Sequence, residues 1–370
     1  MPLRGEATNQ ATYLHLRPVP AGTSQVHTGY HDVYGRDIVQ KTVPKAALLA
    51  DSVARGEPEI LLNIDHPAIP RIYEAQYEPT RPGFITFVMD EVGDMGGGQV
   101  VLGRHPRPSV GQAVQVGLRL LSALEYIHVV SGIVHRDIKP DNIRLAAEFA
   151  DAWLIDFNMA GQLDSSRKVL GAQTPIAWMA PEVPLSLEYG IPSEIYSFGV
   201  VFYEVIRGRM MSSDFPMGRQ EDRVAAGKRA FPDAHFNRWP PEVPANVRRA
   251  VTKAMSADPA KRWQTAAEMR QALGSCVFVD WMEDPSGGQR WIGSWPSNRL
   301  KSERVEVEVE VQTITSGPNR ARRRARARYR PTRDWRRLSE LPDRFIDTDS
   351  ELRHFFDDVE RRLASIRPAS

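Results

Sequence analysis

Hydrophobic positions along this chain follow several rhythms, and each predicts a different element. Val110, Val114, Leu118, Leu121 and Leu124 recur at three- and four-residue steps, which lines one face of an amphipathic helix. From Glu194 to Ile206 the residues are apolar nearly all round, so a helix buried at the centre of its lobe is expected. Asp37–Val43 alternates instead, Ile38 with Gln40 and Val39 with Lys41, as a half-exposed strand does, and Phe84–Val92 reads as another strand. Alternation is strict in Val305–Val311, with valines on one face and Glu306, Glu308 and Glu310 on the other. The chain then turns near Ser316-Gly317-Pro318-Asn319, and Arg322, Arg324, Arg326 and Arg328 follow on one face, with Arg323, Ala325, Ala327 and Tyr329 on the other. A β-hairpin over about 304–330 is predicted, its glutamates facing arginines as cross-strand pairs. Leu352, Phe355, Phe356, Val359, Leu363 and Ile366 form the stripe of a terminal helix over about 350–366, expected to pack on the valine face.

Composition narrows the classes. With 370 residues and 42% hydrophobic content the chain can build one large domain plus a smaller module. Its 48 basic and 46 acidic residues nearly cancel, so no global field draws it to nucleic acid or a membrane. The arginine run could bind phosphates, but the acidic partner strand favours self-neutralisation, and no nucleic-acid partner is expected. A single cysteine, Cys276, excludes an intrachain disulfide framework and fits a reducing compartment. Met1–Gln10 lacks an apolar core, and the longest apolar stretch, around Phe198–Ile206, is too short for a span. A cytoplasmic protein without membrane contact is the expectation.

The chemistry concentrates in His135-Arg136-Asp137-Ile138-Lys139-Pro140-Asp141-Asn142. An aspartate two residues before a lysine and five before an asparagine is the layout that phosphoryl transfer needs: a base for the acceptor hydroxyl, a cation for the moving group and a metal ligand. On this string the chain resembles the eukaryotic-type (Hanks-type) serine/threonine protein kinases. Further segments carry the likeness: Leu154-Ile155-Asp156-Phe157-Asn158 resembles the metal-binding segment, Asp37–Val43 the strand with the phosphate-anchoring Lys41, and Ala180-Pro181-Glu182 the motif that closes the activation segment. No GxxxxGK[ST] motif is present, so a Walker-type phosphate loop is excluded.

The resemblance implies an α+β, bilobal fold over 10–275, with a β-rich N-lobe and a mainly helical C-lobe, and leaves 276–370 as a small α+β module for regulation or docking. It implies Asp137 and Lys139 as catalytic residues, and Asn142 and Asp156 as ligands of Mg²⁺ (or Mn²⁺). For ATP it implies Val19, Ala21, Gly22, Ser24 and Val26 in the phosphate loop, Lys41 with Glu57 as its partner, and Asp90 and Val92 at the hinge. Pro58 suits only a first helical turn, so either a helix restarts there with Glu57 at its edge, or Glu59 serves instead. Glu182 is expected to pair with Arg262, and Glu194 to accept amides of the catalytic loop. Arg136 would receive a phosphorylated Ser165, Ser166 or Thr174. Protein Ser/Thr hydroxyls would be the acceptors, Lys139 marking the serine/threonine class. A scaffold that keeps the fold without efficient transfer is the alternative, resting on the glycine-poor loop, Pro58, Asn158 and Glu194.

Overall fold

The computed structural model describes residues 13–19, 25–44, 56–78, 81–93, 107–171, 175–209, 211, 215–284, 286, 288–295, 305–330, 334–338 and 340–365. Its first sheet is antiparallel, ordered β1-β2-β3-β5-β4, from β1 (Tyr13–Val19), β2 (Gln25–His31), β3 (Arg36–Pro44), β4 (Ile72–Tyr77) and β5 (Phe84–Asp90). Strand β3 lies between β2 and β5, so its inward residues meet cover on both sides; Ile38 and Phe87 are fully buried. Helix α1 (Glu57–Leu62) packs against β4 of this sheet and against the turn Phe157–Met159. Pro58 sits in its first turn, where a helix has no intrahelical use for the missing N–H.

Helix α2 (Val110–Tyr126) opens on a capping box, Ser109 Oγ accepting from Gln112 N–H while the Gln112 side chain accepts from Ser109 N–H. Val110, Val114, Leu121 and Leu124 are buried, and Leu118 is partly buried against the same core. The helix runs on into one π-helical turn, Ile127–Ser131, closed by Gly132 at φ 66°. Among the described residues Val110–Ser131 is the one helical run with the length and composition to cross a membrane, but here it lies in the core. Three short ribbons frame the chain that follows: β6 (Ile133–Val134) pairs β9 (Gly161–Gln162), β7 (Ile143–Leu145) pairs β8 (Ala152–Leu154), and β10 (Lys168–Leu170) pairs β11 (Glu188–Gly190). After the short α3 (Val183–Ser186), helix α4 (Ile191–Arg207) is buried from Ser193 through Ile206. Helices α5 (Met217–Ala225), α6 (Ala245–Ala254) and α7 (Ala266–Gly274) follow; α6 packs on α4, and α7 packs on α6 and along α2.

The last segment is larger than a hairpin and a helix. Strands β14 (Val305–Thr313) and β15 (Arg323–Arg330) pair with Glu306 opposite Arg330, Glu308 opposite Arg328 and Glu310 opposite Arg326. They extend into a six-stranded sheet with β12 (Asp280–Glu283), β13 (Arg290–Trp295), β16 (Arg336–Arg337) and β17 (Arg344–Ile346). Helix α8 (Asp349–Ser365) lays Phe355, Phe356 and Val359 on the valine face, where Trp281 and Trp291 each meet Phe356 edge-on. Those tryptophans extend the apolar face on β12 and β13, forming a second core separate from the first.

Candidate active site

Lys41 reaches the cleft because β3 alternates, with Ile38 packed in the sheet. Its Nζ lies 2.7 Å from Glu57 Oε2 and 2.7 Å from Asp156 Oδ1. Burial pulls the Lys41 ammonium down, but the two carboxylates outweigh it and hold its pKa above the ordinary lysine value. Burial raises Glu57, and Lys41 opposes that only in part. Asp156 goes the other way: burial would raise it, but Lys41 carries it below the usual carboxylate value. The other oxygen of Glu57 accepts the Phe157 N–H at 3.1 Å, so one carboxylate fixes both the lysine and the chain just past Asp156. Glu59 is exposed on the same helix and makes neither contact.

Asp156 has φ 65° and ψ 75°, a left-handed conformation for a non-glycine residue. Phe157 is buried and meets His135 edge-on at 4.7 Å between centroids. His135 accepts the Asp137 N–H on Nδ1 at 3.3 Å, which puts its own proton on Nε2, 3.0 Å from the Ile155 carbonyl. A donor–acceptor chain thus links the residue before Asp156 to Asp137.

Asp137 is 6% exposed. Its Oδ2 accepts from Lys139 Nζ at 2.7 Å and from Asn142 Nδ2 at 2.9 Å, while Oδ1 is buried with no hydrogen-bond partner among the described residues. A buried carboxylate oxygen without a donor is costly, and it is the atom a hydroxyl proton would meet. Asn142 also donates to the Asp137 carbonyl at 2.8 Å. With its amide hydrogens turned to Asp137, its side-chain oxygen is the group left for a cation. The Ile155 N–H on the Asn142 carbonyl, 2.9 Å, brings this asparagine beside Asp156. Two side-chain oxygens from an asparagine and an aspartate suit a hard divalent cation of the Mg²⁺ kind.

On the nucleotide side, Val19 ends β1 opposite Val26 on β2, so both flank the turn between these strands. Ala21, Gly22 and Ser24 lie outside the described residues. Val26 stands opposite Lys41, and Val39 opposite Met89, which is buried at the end of β5. Asp90 is the last residue of β5, opposite Ile38, its side chain accepting from Tyr73 Oη and from Arg71 N–H at 3.2 Å. Val92 follows, its carbonyl 3.4 Å from Arg144 Nε. Gly93 has φ 71°, and a Cβ there would lie 2.9–3.0 Å from Arg144 and Leu145 atoms, so glycine is what lets this crossing chain lie against β7.

On the facing side, Arg262 grips Glu182 through two bonds of 2.8 and 2.7 Å, and Ser193 Oγ adds a third at 2.8 Å. Burial would raise Glu182, but Arg262 holds it below the usual range. Glu194, fully buried in the first turn of α4, accepts the Arg136 N–H at 2.8 Å and meets His128 Nε2 at 2.6 Å. The sequence reading missed His128, which comes from the π-helical turn; it has no sequence signal beyond a histidine at the end of an apolar helix. Thr174 lies outside the described residues. The expectation that Arg136 waits for a phosphate meets a different geometry: its guanidinium donates to the carbonyls of Met159, Leu170 and Gly171.

Comparison with known proteins agrees with this geometry. A family model described as the protein kinase domain matches residues 21–274. Serine/threonine-protein kinase PknB of Mycobacterium leprae is 28% identical over 261 residues, which cover 68% of this chain and 40% of PknB. Serine/threonine-protein kinase PrkC of Bacillus subtilis is 28% identical over 234 residues, 61% of this chain and 34% of its own length. The chain thus spans well under half the length of these curated relatives.

Proposed function

The chain belongs to the protein kinase family, and from that premise we propose that it transfers the γ-phosphoryl of Mg-ATP to serine and threonine hydroxyls of proteins. The observation that carries the reading is the closed set Lys41–Glu57–Asp156 together with an Asp137 held by Lys139 and Asn142. A scaffold that had given up transfer would not need Lys41, Asp137 and Asp156 all present.

In this reading Asp137 Oδ1 receives the proton of the acceptor hydroxyl, and Lys139 faces the charge that develops on the transferring group. Lys41, fixed by Glu57, orients the α- and β-phosphates. Val26 and the backbone groups of Asp90 and Val92 would hold adenine, and Val19, Ala21, Gly22 and Ser24 are the residues we assign to the phosphates. Asn142 and Asp156 would hold Mg²⁺, which when bound neutralises phosphate charge. Catalysis here is positioning and fixed electrostatics, since phosphoryl transfer asks little covalent work of the protein.

We assign 276–370 to regulation or docking of protein partners, not to nucleic acid. Arg290 and Arg328 close on Glu308, Arg330 on Glu306, and Arg324 and Arg326 on Asp343, so much of this charge is matched within the sheet. The single cysteine, Cys276, is buried as a free thiol, in keeping with a reducing cytoplasm where ATP is abundant.

The test is ADP release by the full chain with and without a protein acceptor, followed by phosphoamino-acid analysis. Acceptor-dependent release with label on serine or threonine is the expected result. Mg-ATP binding without release, across several acceptors, would favour the scaffold.

A further inference from the structure

On α6, Ala245, Arg248, Arg249 and Thr252 follow one another at helical spacing, so they stand together on one face. With Asn237 and Trp239 on the chain before α6, and Arg353 reaching over from α8, they line an open cavity of about 440 Å³. The cavity lies on the seam between the two cores, since α6 packs into the first and α8 into the second. Three guanidiniums around one space repel one another, and one of them is offset. Arg248 Nη2 pairs with Asp357 at 2.8 Å, and its Nη1 is spent on the Val243 carbonyl. Arg353 donates to the Trp239 carbonyl at 3.2 Å, which fixes its direction without cancelling its charge. Arg249 is exposed and makes no ion pair or hydrogen bond among the described residues. Glu360 also lies within the field of Arg248, but burial keeps its proton on up to about 8, so it brings no second anion at neutral pH. A second open cavity, of about 460 Å³, gives the contrast. There Arg229 pairs with Asp233 and Arg223 is spent on the carbonyls of Arg229 and Phe231, which leaves Lys228 as a point charge and no fork.

We infer that the seam cavity is a binding site for a phosphate monoester carried on a protein, a phosphoserine or phosphothreonine side chain, with Arg249 and Arg353 as its charge-bearing contacts. The charges match: such a group carries close to two negative charges and three strong acceptor oxygens, and two uncompensated planar forks are what such an anion pairs with best. Asn237 and Thr252, both exposed at the same cavity, add neutral hydrogen-bonding groups. The size argues for a protein source, because the space is far larger than one tetrahedral anion fills and leaves room for the chain that bears it. Arg249 and Arg353 come from different cores, so the site is complete only while α8 is docked beside α6. A ligand there therefore stabilises the docked module by mass action. The inference stands on these residues and not on the transfer chemistry of Asp137.

The experiment is calorimetric titration of the full chain at low salt with three probes: a blocked Gly-phosphoserine-Gly peptide, the same peptide without phosphate, and inorganic phosphate. The phosphopeptide should bind with a Kd below about 1 mM, inorganic phosphate more weakly, and the unmodified peptide not at all. Arg249→Gln and Arg353→Gln should each weaken the phosphopeptide by about tenfold or more, the scale of one charge-assisted hydrogen bond. Lys228→Gln removes the same charge from the other cavity and should leave binding within about twofold. Arg353→Gln also removes a contact that docks α8, so Arg249→Gln is the deciding variant: its side chain is exposed and unpaired, and its loss does not act through folding. Phosphopeptide binding that survives Arg249→Gln, or that falls as far in Lys228→Gln, overturns the site. So does the absence of binding by any phosphate probe up to about 10 mM. Inorganic phosphate that binds as tightly as the phosphopeptide overturns the protein-borne source. None of these readouts needs phosphoryl transfer; a chain that shows the expected pattern but transfers nothing keeps the site and counts against the kinase reading alone.

Discussion

At the scale of single residues, the site depends on a few groups with more than one partner. Glu57 serves Lys41 with one oxygen and Phe157 N–H with the other, so its loss leaves the lysine on Asp156 alone and releases the chain beside Asp156 at the same time. We predict that Glu57→Ala lowers kcat/KM by about 10²-fold, the scale of a catalytic group displaced by roughly 1 Å, while Glu59→Ala stays within about twofold of wild type. Steady-state kinetics on both variants decides it; equal losses would show that the Lys41 contact is not what matters. Sequence spacing was enough to put Lys41, Asp137 and Asp156 forward, because each lies in a short contiguous string. It favoured Glu57 with Glu59 as the alternative, since the choice depends on which way a six-residue helix turns its first residue. The partners of Arg136 were not legible at all: backbone carbonyls of Leu170 and Gly171 are the same in any sequence.

At the scale of elements, the last sheet has its own internal logic. Glu308 is 1% exposed between Arg290 on one neighbouring strand and Arg328 on the other. Burial would raise its carboxyl, but the two arginines hold it below the usual value. Removing the shared anion leaves two guanidiniums facing each other, but Arg290 and Arg328 are 40% and 36% exposed, so solvent takes up part of their charge and Glu308→Ala should cost only about 1 kcal/mol in urea denaturation; no measurable cost would mean that the pairs do not hold the strands together. Helix α8 contributes the opposite kind of group. Burial, with Asp357 adding to it, pushes Glu360 up to about 8 against the pull of Val279 N–H and Arg248. The folded chain therefore keeps a proton that the unfolded chain gives up above its ordinary value near 4.5. Stability should fall as pH rises through that window and level off above about 8. Glu204, raised by burial to about 7, slopes the same way. In Glu360→Gln the fall between about pH 5 and about pH 8 should flatten markedly, as read by thermal midpoints; an unchanged slope would place the proton elsewhere. Strict alternation made β14 and the arginine strand readable, whereas β12 and β13 were not: their pairing, Trp291 with Val309 and Trp281 with Gly293, is long-range and surrounded by glycine and serine.

At the scale of the whole molecule, two separate cores are joined by polar contacts of specific geometry. Asp280 accepts the Gly111 N–H at 2.6 Å, capping α2 from outside the first core. Arg248 pairs with Asp357 at 2.8 Å, and Arg353 donates to the Trp239 carbonyl at 3.2 Å. These contacts fall on α2, α6 and the chain before α6, and α6 packs in turn on the buried α4. Ending the chain at 275 should lower the stability of what remains by about 1–3 kcal/mol, the worth of a cap and of partly buried pairs, measured by chemical denaturation; no change would show that the module hangs free. The central claim, that Asp137 is the base of a working phosphoryl-transfer site, is tested most directly by following label from γ-labelled ATP in Mg²⁺ into the full chain and a protein acceptor, wild type beside Asp137→Asn. The account predicts incorporation by the wild type and a loss of about 10²- to 10⁴-fold in the variant, with Mg-ATP binding retained. Equal incorporation by both proteins, or none by either with nucleotide bound, would contradict it.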